Sequence, residues 1–286
     1  MTIQKRVAWI AQQLLPLYRD IDRATMHAWW IVEGITQHAQ TKLLSGNLVL
    51  TDEQEQKLHA WIYALLHDHM PLQYLLGTVP FLDLTIHITP PVLIPRPETE
   101  QWCFDVITEL RQSHHVSRSI LDLCTGSGVL ALSLAKAFPG SVVEGIDIQE
   151  HAVACASQNK ILNHLSNVSF FTSDLFEHVD NNAKYDLIVA NPPYVSATEW
   201  QYVDQTVARW EDPVALVAPE EGYAIIEKII IQSPDFLHQN AQLWIEIGYQ
   251  QSAVVEAFFK SRGFQNIRLV YDIQGHVRVV TGVWKQ

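Results

Sequence analysis

From about residue 98 onward, strand-like apolar runs alternate with segments of helical periodicity. The strand-like runs are SILDL, SVVEGID, VSFFTS, YDLIVA, AQLWIEIG, IRLVYD and VRVVTGVW. Between the earlier runs lie GVLALSLAKAF and QEHAVACASQNKILN, whose apolar residues recur every three or four positions. This alternation predicts a mostly parallel sheet covered by helices on both faces, with a ligand at the carboxyl ends of the strands.

Residues 1 to 75 predict a small helical bundle. The apolar residues that share one face of its first helix are Ile3, Val7, Ile10 and Leu14. A second helix fits residues 23 to 39, where Trp29 and Trp30 are interpreted as core or interface residues. Ser45 to Asn47 predict a turn, and Thr51 with Gln54 forms a capping box that begins another helix.

Residues 76 to 97 have a different hydrophobic pattern from the segments on either side. Their apolar residues alternate at period two, with prolines at both edges. These residues are Leu82, Leu84, Ile86 and Ile88. The pattern predicts a short hairpin or an extended linker. We therefore expect a helical domain over residues 1–75, a hairpin linker over 76–97 and an α/β domain over 98–286.

Composition and charge narrow the class of protein. Hydrophobic residues make up 48% and charged residues 17% of the 286 residues, which is typical of a globular protein. No run approaches the length of a membrane span, and the first 20 residues lack the pattern of a signal peptide, so we expect a cytoplasmic protein. A formal net charge of −12 opposes general binding to nucleic acid and favours a protein or small-molecule partner.

Cysteine and histidine spacing predicts neither a disulfide framework nor a metal site. Cys103, Cys124 and Cys155 are odd in number, and none belongs to a CxxC pair. The histidines of HDHM, at residues 67–70, and of HH, at His114 and His115, lack the spacing that places two ligands on one helix face.

The segment ILDLCTGSGVLALSLAK predicts a strand, a glycine-containing turn and a helix. Gly126 and Gly128 let the backbone approach a ligand, although the turn is not the six-residue dinucleotide fingerprint. The next strand ends in Asp147, about 20 residues further on, where a carboxylate can accept the hydroxyls of a ribose. Asp174 follows the third strand, near the expected position of an adenine. Helix capping is the alternative reading of either aspartate.

The fourth strand stops at Asn191-Pro192-Pro193-Tyr194. Proline fixes φ and pushes the preceding residue out of the helical region, so this loop is extended and stiff. Such a loop can hold an asparagine side chain and a free carbonyl in fixed positions.

This order of strand ends resembles class I methyltransferases that use S-adenosylmethionine, and NPPY resembles those that methylate a planar amino or amide nitrogen. PLQYLLG at residues 71–77 and VLIPRPETE at residues 92–100 narrow the resemblance to the HemK/PrmC family, which modifies the Gly-Gly-Gln glutamine of peptide chain release factors. WEDPVALVAPEEGYAII, IEIGYQQ and DIQGHVRVV are similar to the same family.

The resemblance implies a Rossmann-like domain with a seven-stranded, mostly parallel sheet and a site made of named residues. The cofactor would lie against Cys124, Thr125, Gly126, Ser127, Gly128, Asp147, Asp174, Leu175 and Asn191. The substrate glutamine would be held by Asn191, Pro192, Pro193 and Tyr194. Arg96, Glu98 and Thr99 would order the cofactor pocket or simply begin a helix. The implied partners are release factors docked by the helical domain, with no metal, nucleic acid or membrane.

Two residues depart from the family pattern. Cys124 replaces the first glycine of the turn, and Asp212 replaces a proline. We expect the cysteine to be tolerated if its φ is negative. Three alternatives stay open at this stage: a glutamine methyltransferase of a large-subunit ribosomal protein, a DNA adenine methyltransferase, and a non-catalytic protein that keeps the nucleotide crevice.

Overall fold

The computed structural model describes residues 2–45, 49–112 and 118–285. Gly46 and Asn47 of the expected turn, and His114 and His115, lie outside these residues. The chain forms two compact units. The first comprises Met1–Gly77 and Gln205–Trp210, and the second comprises Thr78–Asp204 and Glu211–Gln286.

Helices and strands are numbered along the chain. The helices are α1 (Ile3–Tyr18), α2 (Ile21–Thr36), α3 (Gln40–Ser45), α4 (Asp52–His67), α5 (Leu72–Leu76), α6 (Pro97–Gln112), α7 (Val129–Ala137), α8 (Glu150–Leu162), α9 (Ala197–Trp200), α10 (Gln205–Trp210), α11 (Ala224–Gln232) and α12 (Ser252–Arg262). The strands are β1 (Thr78–Phe81), β2 (Leu84–His87), β3 (Ser119–Leu123), β4 (Val142–Asp147), β5 (Val168–Thr172), β6 (Tyr185–Ala190), β7 (Leu237–Glu246), β8 (Gln265–Tyr271) and β9 (Val277–Val283). None of the helices in the described residues is long and apolar enough to cross a membrane.

The first unit is the helical bundle that the sequence predicts. Its core joins the apolar faces of α1, α2 and α4, and Ile10, Leu14, Ile31 and Leu58 are fully buried there. The capping box of Thr51 and Gln54 is present at the start of α4. Trp29 packs against this core, whereas Trp30 is 40% exposed.

The predicted hairpin forms from β1 and β2, which pair antiparallel. Leu84, Ile86 and Ile88 are buried, so their alternation reflects one apolar face. Leu82 does not continue the strand: it lies in the turn between β1 and β2, with a φ of 49°.

The second unit is built on a seven-stranded sheet of order β5-β4-β3-β6-β7-β9-β8. The first five strands in that order are parallel, and β9 is antiparallel to both β7 and β8. Continuous apolar runs form the central strands because these strands are buried on both faces. Residues that are fully buried in this way include Leu121, Ile188, Leu243 and Ile245.

Strand order reverses between β3 and β6, and this reversal positions the site. From β3 the chain moves outward to β4 and β5, then returns to β6 on the other side of β3. A crevice opens at such a reversal because the connections leave the two strand ends in opposite directions. The turn after β3 and the Asn191 loop after β6 therefore border the same crevice.

Candidate active site

One cleft in the second unit brings together most of the predicted cofactor residues. Those that line it are Cys124, Gly126, Asp147, Asp174, Leu175 and Asn191, together with Pro193. Thr125 and Ser127 lie beneath the turn instead and are buried, at 4% and 3% exposure. The backbone at Gly128 begins α7 with a φ of 86°. The groups predicted at successive strand ends thus converge on one site.

The glycine turn is fixed from below by a buried carboxylate. Asp122 in β3 is fully buried, and its Oδ2 accepts hydrogen bonds from the Thr125 hydroxyl at 2.5 Å and the Ala131 N–H at 3.1 Å. Burial raises the pKa of Asp122 to about 7. No hydrogen-bond partner of the Asp122 Oδ1 is present among the described residues. The turn therefore rests on a carboxyl group that is only partly ionised near neutral pH.

Cys124 adopts a left-handed backbone conformation, with a φ of 58°. We expect the cysteine to be tolerated if its φ is negative. The observed φ is positive, so this condition is not met. A residue with a Cβ is strained in this region by about 1–2 kcal/mol, which glycine avoids. The strain lies at the point where the backbone turns toward the cleft.

The Cys124 thiol lines the cleft but is a weak nucleophile. Burial, reinforced by the carboxylates of Asp147, Asp122 and Asp174, raises its pKa well above the ordinary value. A thiol is a good nucleophile only when ionised. The raised pKa therefore keeps the Cys124 thiol protonated and weakly nucleophilic near neutral pH.

Asp147 is held in place by two main-chain donors. Its Oδ2 accepts from Gly126 N–H at 2.9 Å, and its Oδ1 accepts from Gln149 N–H at 3.0 Å. Burial raises its pKa, and these two hydrogen bonds oppose the rise. Each oxygen keeps a further lone pair for a ligand, so a fixed carboxylate faces the cleft at the end of β4.

Asp174 and Leu175 form the far wall of the cleft. The Asp174 side chain is exposed, and Leu175 is buried with a φ of 48°. The Ser173 hydroxyl donates to the Leu175 carbonyl at 2.8 Å and accepts from His178 N–H at 2.9 Å. This local network fixes the turn that follows β5.

A second pocket lies next to the cleft and shares Leu93, Asn191, Pro193 and Ala215 with it. Its other lining residues are Arg96, Pro192, Tyr194, Leu216 and Glu246. Within Asn191-Pro192-Pro193-Tyr194, Asn191 and Pro193 therefore line both pockets, whereas Pro192 and Tyr194 line only the second.

The amide of Asn191 belongs to a buried hydrogen-bond network. Its Nδ2 donates to Thr99 Oγ1 at 3.3 Å, and Thr99 Oγ1 donates to Glu246 Oε2 at 2.7 Å. Trp102 Nε1 donates to the same Glu246 oxygen at 2.7 Å. Burial raises the pKa of Glu246, against the effect of these donors. Sequence reasoning missed Glu246, although a glutamate inside the apolar run LWIEIG is a signal that could have found it.

Tyr194 is held at both its ring and its backbone. Its hydroxyl donates to Glu246 Oε1 at 3.4 Å, and its carbonyl accepts from Gln251 Nε2 at 3.1 Å. Burial and the nearby Glu246 raise the pKa of Tyr194. The next residue, Val195, forms a parallel bridge with Val217. The Val195 bridge and the Gln251 hydrogen bond thus fix the carboxyl end of the loop.

Arg96, Glu98 and Thr99 do not line this cleft. Arg96 lines the second pocket and pairs with the buried Glu211 at 2.6 Å, while Thr99 contacts Asn191. Glu98 lies 3.9 Å from Arg278. These contacts place the PRPETE segment around the second pocket.

Asp212, the second departure from the family pattern, lies at the rim of the cleft. Its Oδ1 accepts from Val214 N–H at 2.9 Å, and its Oδ2 lies 3.6 Å from His151 Nε2. Both Asp212 and His151 line the cleft. Within the described part of the chain, no group of three or more His, Cys, Asp or Glu residues is placed to hold a metal ion.

Two protein families match the chain. Residues 7–77 match the PrmC N-terminal domain, and residues 106–209 match the Methyltransferase small domain. The release factor glutamine methyltransferase of Lactococcus lactis is 36% identical over 248 residues, which cover 85% of this chain and 89% of that protein. The release factor glutamine methyltransferase of Haemophilus influenzae is 31% identical over 295 residues, which cover 97% and 98%.

Solved structures support the fold. The 16S rRNA methyltransferase RsmC of T. thermophilus, solved in complex with AdoMet and guanosine, aligns with a TM-score of 0.53 and 19% identity. The alignment covers 73% of this chain and 50% of that one. The class I methyltransferase fold of the second unit, its adjoining pockets and the two sequence relatives lead to one conclusion: this chain belongs to the HemK/PrmC family of release factor glutamine methyltransferases.

Proposed function

We propose that this chain transfers a methyl group from S-adenosylmethionine to the side-chain amide nitrogen of the glutamine in the Gly-Gly-Gln motif of release factors. The observation that carries the proposal is that Asn191 and Pro193 line both the cofactor cleft and the pocket beside it. A methyl donor in the first and an amide in the second would meet at this loop.

The cleft offers S-adenosylmethionine an open glycine turn and carboxylate side chains. Gly126 has no atom within 4 Å of the position where a Cβ would stand, so the turn leaves room for a ligand against its backbone. The Asp147 carboxylate would bind the ribose hydroxyls, and Asp174 with Leu175 would border the adenine. Bound there, the cofactor supplies a methyl group activated by its sulfonium charge.

The neighbouring pocket would make a poor nucleophile usable by positioning it. An amide nitrogen is weakly nucleophilic because its lone pair is delocalised into the carbonyl. Asn191 Oδ1 and the Pro192 carbonyl would each accept one amide N–H, and the Tyr194 ring would pack on the planar group. Transfer would form the carbon–nitrogen bond as the methyl–sulfur bond breaks. The bonding electrons would stay on sulfur, which leaves S-adenosylhomocysteine, and the nitrogen would release one of its two protons to solvent water. Orientation and fixed acceptors account for the rate enhancement in this scheme.

The chain's organisation suggests a division of labour that we include in the proposal. Residues 1–75 would dock the release factor, residues 76–97 would link, and residues 98–286 would carry out the transfer. Met26 on α2 is 43% exposed, so Met26→Glu should raise KM for the intact factor if α2 contributes to docking. Ile231→Glu, at a 50% exposed residue of α11, is the matched control and should leave KM unchanged.

A second candidate substrate is a glutamine of a large-subunit ribosomal protein, because the same pocket chemistry would serve it. The PRPETE segment around the second pocket resembles the release factor enzymes more closely, and this favours the first candidate. A DNA adenine substrate conflicts with the net charge of −12.

Transfer of a labelled methyl group to purified, unmethylated release factor tests the proposal. The matched substrate is the same factor with its Gly-Gly-Gln glutamine replaced. We expect label on the first and none on the second. Label on neither, with cofactor binding demonstrated, would contradict the release factor assignment and favour the ribosomal-protein substrate.

A further inference from the structure

We infer that Glu246, acting through Thr99, fixes the Asn191 side-chain amide with its oxygen available to the substrate pocket. Glu246 and Thr99 are thereby positioning residues that make the pocket selective for an amide over a carboxylate. The inference rests on the proposed function and adds the origin of the selectivity.

The hydrogen bond between Thr99 and Glu246 runs from the hydroxyl to the carboxylate. Glu246 Oε2 lies 2.7 Å from both Thr99 Oγ1 and Trp102 Nε1. The Trp102 indole N–H and the Thr99 hydroxyl both donate to this carboxylate oxygen. Thr99 therefore donates its one hydroxyl proton to Glu246. Both residues are 2% exposed, so water does not offer an alternative partner to this pair.

The direction of this hydrogen bond fixes the orientation of the Asn191 amide. The Thr99 hydroxyl, having donated its proton, can only accept from the Asn191 amide 3.3 Å away. An acceptor requires the amide NH₂ to face it, because the opposite rotamer would bring two oxygens together. The Asn191 amide oxygen is consequently left as the acceptor for a ligand.

The pocket offers hydrogen-bond acceptors to a ligand. Pro192 lines the pocket and carries a carbonyl but no N–H. The loop therefore presents acceptors from two successive residues. A glutamine NH₂ has two hydrogens to donate, whereas a glutamate carboxylate has none at neutral pH. A buried site built to bind hydrogen-bond donors strongly rejects a ligand that lacks them.

A purely structural role is the competing explanation, because Thr99 and Trp102 lie on α6 and Glu246 ends β7. The two roles differ in what they change. Loss of packing lowers stability and binding of all ligands together, whereas loss of amide orientation lowers the preference for glutamine over glutamate. The decisive quantity is therefore a ratio between two ligands.

Thr99→Val is the variant that separates them, since it keeps the volume and removes the hydroxyl. Thr99→Ser restores the hydroxyl, and Thr281→Val is a control at a residue of β9 that is also 2% exposed. Each variant is assayed for kcat on release factor, for cofactor Kd, and for the relative inhibition by Gly-Gly-Gln and Gly-Gly-Glu peptides. If Thr99→Val does not fold, Thr99→Ala serves in its place.

We expect Thr99→Val to lower kcat at least 10-fold and to reduce the preference for the glutamine peptide at least 10-fold, with cofactor Kd within 2-fold. Thr99→Ser and Thr281→Val should both stay close to the wild type. An unchanged peptide preference in Thr99→Val would overturn the inference, whatever happened to kcat. Failure of the wild-type chain to methylate release factor would instead contradict the proposed function, so the two failures are distinguishable.

Discussion

Gly222 lies directly against the carbonyl of Tyr194: a Cβ at Gly222 would stand 2.1 Å from that oxygen. The same carbonyl accepts a hydrogen bond from Gln251 Nε2, so three segments of the chain meet behind the loop. The position of Tyr194 therefore depends on a residue that touches neither pocket.

Gly222→Ala should displace Tyr194 and reduce methyl transfer at least 10-fold. Gly222 has a φ of 86°, and Gly275→Ala is the matched control because Gly275 has a φ of 83° with nothing within 4 Å. Both variants carry the strain of a left-handed backbone, about 1–2 kcal/mol, but only Gly222→Ala has the clash. Equal transfer rates in the two folded variants would show that the clash does not matter.

Cys124→Gly should increase the free energy of unfolding. Relief of left-handed strain contributes about 1–2 kcal/mol, and the extra flexibility of glycine in the unfolded chain offsets about 0.5–1 kcal/mol of it. We expect a net gain of about 0.5–1 kcal/mol in urea denaturation. Cys124→Ala keeps the strain and should show no such gain; stabilisation by alanine equal to that by glycine would refute the explanation.

Asp122 should make stability depend on pH. Its pKa is about 7 in the fold against an ordinary value of 3.8, so its contribution to stability is complete below about pH 4 and is lost as the pH rises toward 7. Asp122→Asn does not titrate. The unfolding free energy of the wild type relative to this variant should therefore fall between about pH 5 and pH 7, at up to about 1.4 kcal/mol per unit. A constant difference across this range would contradict the buried, protonatable carboxyl.

Asp147→Asn should weaken cofactor binding by about 10- to 100-fold, the loss expected for charged hydrogen bonds of about 1.5–3 kcal/mol. The variant also places an NH₂ group against one of the main-chain donors Gly126 N–H and Gln149 N–H. Asp186→Asn is the control, because Asp186 likewise accepts main-chain N–H groups, from Arg118 and Ser119, without lining the cleft. Calorimetry would measure the cofactor Kd of both variants. Equal affinities would show that Asp147 does not contribute to cofactor binding.

The sequence predicts the sheet well because strand and helix periodicities differ and the strands are buried on both faces. It predicts the cleft because parallel strands place Cys124, Asp147 and Asn191 at one edge. The start of β7 at Leu237 was missed, since HQN is polar and reads as a loop, although Asn240 pairs with Trp284. Such pairing depends on a distant segment and leaves no local pattern.

The hydrogen-bond network of Asn191, Thr99, Trp102 and Glu246 could not be predicted from sequence patterns for the same reason. Thr99 and Glu246 are 147 positions apart and meet only when α6 packs against the end of β7. The sign of the Cys124 φ depends on how β3 and α7 are held on either side of the turn, although the glycine of the family pattern at this position is a signal for a positive φ. Residue types predict which groups line the cleft, whereas the orientation of these groups required the fold.

The most direct measurement locates the methyl group by peptide mass spectrometry. Unmethylated release factor is incubated with S-adenosylmethionine at saturation and either the wild-type chain or Asn191→Ala. We predict one added methyl group on the side-chain nitrogen of the Gly-Gly-Gln glutamine with the wild type, and at least 100-fold slower addition with Asn191→Ala. Addition at another residue, or at an undiminished rate with Asn191→Ala, would contradict this prediction.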